Sequence, residues 1–310
     1  MEAQIRIAAF NWLEEQTAIL GDVLSYSLLS KGFEYNGDRV TLVGPQGIWK
    51  PRQFQLIPLS IIAVSDGPYD DHTDENGFII YRYRGTDPYH RDNMGLREAM
   101  RQKVPLIYFH GISKGNYFVT WPAFIVGDDP RSLSFTVAVD DVFAANLYSQ
   151  QYLSGSNSNA FDQYVNEDTA LYRRRYTTST VKTRLHQSSF RERVLAAYRR
   201  QCAFCRLKHP ELLDAAHIIP DSDSRGIPSV TNGLSLCKIH HAAFDHNIVG
   251  ITPEYQIIVK DKVLRETDGP MLKHGIQQLH KQKIFLPHSK NQWPDQEKIE
   301  ERYAAFTNAI

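Results

Sequence analysis

Apolar positions in residues 1–25 recur at helical spacing: Ile7, Phe10, Leu13, then Ile19 and Leu20. That period predicts an N-terminal helix. From about residue 33 to 145 the pattern changes. RVTLV, LIPLSIIAV, GFIIYRYRG, PLIYFHGI, YFVTWPAFIV and SLSFTVAV are rich in β-branched and aromatic residues, with Gly, Pro and Asp between them. These runs predict short strands, interrupted by one helix over about 93–102, in a curved sheet or partial barrel. Residues 150–185 lose the pattern. SGSNSNAFDQ is polar and marks a boundary. The segment SSFRERVLAAYRR predicts a helix capped by Ser188 or Ser189, with Phe190, Val194, Ala197 and Tyr198 on one face. The remainder reads as a compact α+β unit with a helical tail. The predicted organisation is a β-rich domain over 1–150, a polar and basic linker over 151–187, and a second domain over 188–310.

Composition narrows the class. A chain of 310 residues suits two domains rather than one small core. At 42% hydrophobic and 23% charged it has the make-up of an ordinary globular protein. No run of about 20 apolar residues occurs, so no membrane partner is expected. The start, MEAQIRIAAFNWLEEQ, lacks a signal-peptide pattern, and a cytoplasmic location is the expectation. Net charge is zero, which does not favour nucleic acid, but the distribution is uneven. Residues 171–200 include Arg173, Arg174, Arg175, Lys182, Arg184 and Arg191 against the single acid Glu192. A field of that kind suits a phosphate backbone; the plainer alternative is a solvated helix face.

All three cysteines fall between 202 and 237. An odd, clustered set predicts metal ligation rather than disulfides. Cys202-x2-Cys205 and Cys237-x2-His240 form two ligand pairs separated by 31 residues. Zinc takes four N/S ligands in a tetrahedron, and the two-residue gap lets each pair turn toward one ion. With all four positions filled by protein, this zinc is expected to be structural.

Between and after those pairs lie LLDAAHIIP (212–220), SVTNGLSLC (229–237) and HHAAFDHNIVGI (240–251). Over about residues 190–305 the sequence resembles the His-Asn-His (HNH) endonucleases, including the later DGPML stretch (268–272). The resemblance implies a zinc-stabilised ββα-metal nuclease domain. It implies His217 as general base, Asn232 holding the loop and orienting His217, and His241 facing a catalytic Mg2+ or Mn2+ beside the scissile phosphate. Many family members have an Asp just before the base histidine; here that position is Ala216. Asp214, Asp245 or His246 could supply the missing ligand.

The stretch from VGPQGIWKP to PLIYFHGI is similar to SRA (YDG-type) domains, which belong to the PUA-like β folds. The likeness covers about residues 40–130. It implies recognition of 5-methyl- or 5-hydroxymethylcytosine by flipping the base into a pocket. Tyr69 and Tyr81 would stack on the base, and Asp71 or His72 would read its amino group. Arg82, Arg84, His90 and Arg91 would hold phosphates, as the basic run Arg173, Arg174 and Arg175 would on its charge alone, and Trp49 would wedge into the duplex. From strand alternation alone, the same tyrosines read as core packing.

Joined, the two resemblances predict a modification-dependent restriction endonuclease acting on double-stranded DNA, expected as a homodimer because two strands need two active sites. Two other readings stand beside it. The N-terminal domain could sense a different ligand or partner, or the zinc unit could be an inactive DNA-binding module.

Overall fold

The computed structural model describes residues 1–64, 78–140, 142–153, 160–167, 169–267 and 269–309. The chain divides into two compact units, Met1–Ser188 and Ser189–Ile310. Both mix helices and strands, so the α+β class stands.

The N-terminal unit opens with α1 (Glu2–Leu20), β1 (Val23–Ser25), α2 (Tyr26–Lys31) and the hairpin β2 (Phe33–Tyr35) and β3 (Asp38–Val40). The sheet strands follow: β4 (Ile48–Trp49), β5 (Ser60–Val64), β6 (Ile79–Arg82), β7 (Leu106–Ser113), β8 (Asn116–Asp129) and β9 (Ser134–Val139), with α3 (Arg91–Gln102) before β7. They pair in the order β4-β5-β7-β8-β9-β6, with β1 added alongside β8. The sheet curls into a half-barrel. Strand β8 is the reason. Its first half pairs with β7 and its second with β9, with a register shift between Ile125 and Gly127. A bulge bends and twists the strand that carries it. Gly127 sits at that shift, where a Cβ would come within 2.9 Å of the Thr136 hydroxyl.

Both faces of the sheet are covered. Ile107 and Phe109 of β7 point into a cluster with Ile5, Phe10 and Leu13 of α1, while Leu106 and Tyr108 join Leu96 of α3 on the other side. A strand buried on both faces shows a continuous apolar run, which is what PLIYF is. Arg6 carries a charge into this interior. The guanidinium of Arg6 donates to the carbonyls of Pro105 (2.9 Å) and Pro58 (3.0 Å), beneath the ring of Phe54. It ties α1 to two loops that would otherwise leave carbonyls dry.

Helices α4 (Val142–Leu153), α5 (Ala160–Asn166) and α6 (Ala170–Ala197) occupy the stretch expected as a linker. This corrects the predicted cap at Ser188 or Ser189, since α6 begins far earlier. Its inner stripe is Arg174, Thr178, Val181 and Leu185, all buried at helical spacing. Two of the four are polar, and that hides the stripe from an apolar count. Both find partners there: Arg174 Nε meets the fully buried Asp140 at 2.7 Å, and the Val139 N–H donates to Thr178.

The division between the units falls inside α6. In the C-terminal unit, Phe190, Val194 and Leu195 of α6 pack on the hairpin β10 (Leu213–His217) and β11 (Gly233–Cys237), followed by α7 (Lys238–Asp245). Then come β12 (Val249–Ile251) paired with β13 (Ile257–Val259), α8 (Asp261–Leu264), α9 (Pro270–Gly275) and α10 (Gln296–Asn308).

Substituting Arg6→Met should lower the stability of the N-terminal unit by about 3 kcal/mol, because the carbonyls it serves lose a charged donor in a dry site. The measurement is a urea midpoint at unchanged slope. A shift below about 1 kcal/mol would mean that water replaces the guanidinium.

Candidate functional site

The hairpin and α7 build the site. Strand β10 pairs with β11 so that Leu213 lies opposite Cys237 and His217 opposite Gly233. One end of the ladder thus starts the sulfur cluster, and the other ends at His217. No side chain fits at Gly233. A Cβ there would lie 2.4 Å from Val194 and 3.0 Å from Phe190. The glycine lets α6 approach, and Phe190 then stacks on the His217 ring at 4.1 Å between centroids.

Cys202, Cys205, Cys237 and His240 bring their ligand atoms within 4.8 Å of one another. His240 Nδ1 lies 3.2 Å from Cys237 Sγ and 3.4 Å from Cys202 Sγ. Its other nitrogen, Nε2, donates to the Gly275 carbonyl at 2.7 Å, which leaves Nδ1 as the lone-pair atom facing the sulfurs. Hydrogen bonds from Cys202 and Cys205 push the Cys237 thiol well below its ordinary value, toward the thiolate that a metal binds. Three sulfurs and one imidazole nitrogen at this spacing fit zinc. Among the described residues no other group of three or more His, Cys, Asp or Glu side chains gathers in this way.

His240 and His241 are neighbours on α7, and adjacent helical residues point about 100° apart. His240 is buried toward the sulfurs, while His241 is 27% exposed and lines a groove of about 520 Å³. His217, Asp221, Asp245 and Arg302 line the same groove. His241 lies between two carboxylates. Its Nε2 is 3.3 Å from Asp245 Oδ2, one helical turn along, and its Nδ1 is 3.8 Å from Asp214 Oδ2. The two acids therefore address opposite edges of the ring, and only one of them can share an ion with it. Asp214 does not line the groove and also faces Arg191 Nε at 3.8 Å. His246 lines a different cavity.

His217 is half-buried, and its Nε2 is buried with no hydrogen-bond partner. Burial lowers its pKa first; Asp221 pulls the other way, His241 adds to the lowering, and Asp245 again raises it. The net direction is down, toward a neutral ring.

Asn232 is fully buried. Its Oδ1 accepts from the Ile219 N–H at 3.0 Å, and its Nδ2 donates to the carbonyls of Ile219 and Ile227, both at 3.1 Å. Its amide holds the loop after His217 closed. That amide does not bond to the His217 ring; the link runs through the backbone, where the Ile218 N–H donates to the Asn232 carbonyl at 2.9 Å.

The residues expected to grip DNA from the N-terminal unit fare differently. Tyr69, Asp71 and His72 lie outside the described residues. Tyr81 is a core side chain, packed among Ile48, Ile61 and Phe135, with its hydroxyl donating to the Ile62 carbonyl at 3.3 Å. Strand alternation, not base stacking, decides its position. Trp49 is half-buried, its ring against Gly44 and its Nε1 donating to the Thr41 carbonyl at 3.0 Å, so it is no wedge. Arg84 is engaged by Asp92 and Gln46, and His90 caps α3 by accepting from the Asp92 N–H. Arg173 and Arg174 are committed to Asp140. Arg82, Arg91 and Arg175 are exposed.

Several groups at the groove carry no local sequence signal. Asp221 directly follows the AHIIP segment, but nothing in the sequence marks it as acting on His217. Phe190 and Arg302 come from helices distant in sequence.

Cys202→Ser should remove the metal from the C-terminal unit and its cooperative unfolding, while the transition of the N-terminal unit stays in place. Elemental analysis and thermal melting read both. Unchanged metal content and melting would contradict the clamp.

Residues 202–252 match the family model described as HNH endonuclease. No curated protein matches the chain. Among solved structures, the modification-dependent TagI restriction endonuclease is similar at 16% identity and TM-score 0.29, over 80% of this chain and 81% of that one. The Type IV phosphorothioation-dependent restriction endonuclease ScoMcrA is similar at 18% identity and TM-score 0.20, over 59% of this chain and 45% of that one. The match over 202–252 spans the sulfur cluster, His217, Asn232 and His241 in order, and the chain thus carries an HNH endonuclease domain in its C-terminal unit.

Proposed function

We propose that the chain is a metal-dependent endonuclease of double-stranded DNA, with His217 as general base, whose N-terminal unit reads a modified cytosine. The observation that carries the nuclease reading is the His217 ring itself: half-buried, lining the groove, and lowered in pKa by its burial. A neutral imidazole at pH 7 accepts the proton of an attacking water. Asp221 and Asp245 favour the cation that this transfer creates, since both raise the ring's proton affinity. The stack on Phe190 fixes the ring's plane.

His241, through Nε2, and Asp245 are the residues that would hold a divalent cation such as Mg2+ or Mn2+, which when bound offsets negative charge on the phosphate. Asp214, at the other edge of His241, takes the part of a positioning residue rather than the ligand standing in for Ala216. Zinc is the ion proposed for the sulfur cluster, as a structural clamp.

For the sensor half, the support is the sequence resemblance over 40–130, together with the exposed cations Arg82 and Arg175, and Arg91, which is exposed and pairs with Asp92 at 3.5 Å. Tyr69 with Asp71 or His72 remain the proposed stacking and edge-reading residues. The burial of Tyr81 removes one proposed wall of that pocket and favours, as a second reading, a sensor for another ligand. Two strands to cut make a homodimer the proposed working form.

His217→Ala should slow plasmid cleavage in Mg2+ or Mn2+ by about 10²- to 10⁴-fold while DNA binding persists; full activity would end the mechanism. The rate should rise with pH through the His217 titration and level off by neutrality, with its acid limb below the ordinary histidine value, because the neutral form is the active one and burial favours it. Cleavage of DNA carrying cytosine, 5-methylcytosine or 5-hydroxymethylcytosine tests the sensor. Preference for a modified substrate supports it, and equal cutting of all three defeats it.

A further inference from the structure

We infer that Arg302, on the C-terminal helix and beyond the matched segment, contacts the scissile phosphate and supplies the positive charge that the protein itself brings to the groove. This rests on the nuclease reading and adds a residue to it. The groove is otherwise acidic: Asp221, Asp223, Asp245 and Glu301 line it beside the two histidines. Arg225 offsets one of these four charges, and the net negative charge that remains repels a phosphodiester. Arg225, nearby, is neutralised by Asp223 and Glu301, each at 2.8 Å. Among the described residues that line the groove, Arg302 is the cationic side chain, and it forms no ion pair there.

Its geometry is fixed rather than floppy. Nη1 donates to Asn247 Oδ1 and Nη2 to the Phe244 carbonyl, both at 2.6 Å, and the guanidinium lies over the Phe244 ring at 4.6 Å. Those contacts anchor it to the end of α7, the helix that carries His241 and Asp245. A guanidinium has five N–H donors. Two are spent on neutral acceptors, and three are left for an anion. Burial lowers the pKa of Arg302, with Asp245 opposing, but a guanidinium stays charged at any working pH. A half-buried cation held by neutral groups is completed by an anionic partner, and a planar fork suits a phosphate. The same contacts also cap the end of α7, so a purely structural role is the rival account.

The two accounts differ in what a phosphate contact does to salt dependence. Arg302→Gln and Arg302→Lys are made in the full chain, and DNA binding is measured with His217→Ala in the background, so that no cutting intervenes. A phosphate contact predicts that Arg302→Gln reduces the slope of log affinity against log salt by about 1, and that Arg302→Lys restores it in large part. In the cutting-competent chain Arg302→Gln should lower the single-turnover rate by on the order of 10²-fold, beyond any loss of folded protein. Asn247→Ala, which removes one anchor but not the charge, should keep the slope. An unchanged slope with Arg302→Gln, accompanied only by a lower melting temperature, assigns Arg302 to the helix end and overturns the inference. If the unsubstituted chain cuts no DNA, the nuclease reading fails on its own, and the binding slope still decides whether Arg302 meets a phosphate.

Discussion

One turn of α7 joins the sulfur cluster to the groove. His240 and His241 are consecutive, so the rotation of the helix that aims one imidazole at Cys202 and Cys237 also aims the next at Asp245 and the His217 side. The cluster thus does more than fasten two loops. It sets the angle of the helix, and with it the position of whatever His241 holds. Cys237 is both the last residue of β11 and the cap of α7, which ties that angle to the hairpin ladder. Register in the ladder then carries the constraint along to His217.

The site was legible in the sequence where its chemistry is local. The spacing of Cys202, Cys205, Cys237 and His240 encodes a four-ligand cluster directly, and the aim of the adjacent His241 follows from helical geometry. What was not legible are contacts made across the fold. Asp214 and Asp245 look alike in sequence as substitutes for an acid at 216, yet they address opposite nitrogens of His241, and a linear reading has no access to that distinction. Asn232 shows the same limit. Its presence was expected, but its amide is spent on Ile219 and Ile227 rather than on the His217 ring.

In the N-terminal unit the strand pattern located β5, β7, β8 and β9 well, because residues buried on both faces leave continuous apolar runs. The polar residues were harder. Arg174 and Thr178 sit on the inner stripe of α6, where a buried carboxylate and a backbone edge receive them, so a basic run that looks like a phosphate surface is in part interior structure. Tyr81 errs in the opposite sense. An aromatic residue that suits a stacking role is fixed in the core by its place in β6. Charge and aromaticity identify what a side chain can do, and the sheet decides which way it faces.

The close approach of Gly233 to α6 guards the hairpin against mispairing. A slip of β11 by one residue would bring Asn232 or Leu234 beneath Val194 and Phe190, where there is no room for even a single carbon beyond the backbone. A misaligned ladder would force Val194 and Phe190 to shift, so the packing of α6 favours the alignment that sets His217 opposite Gly233.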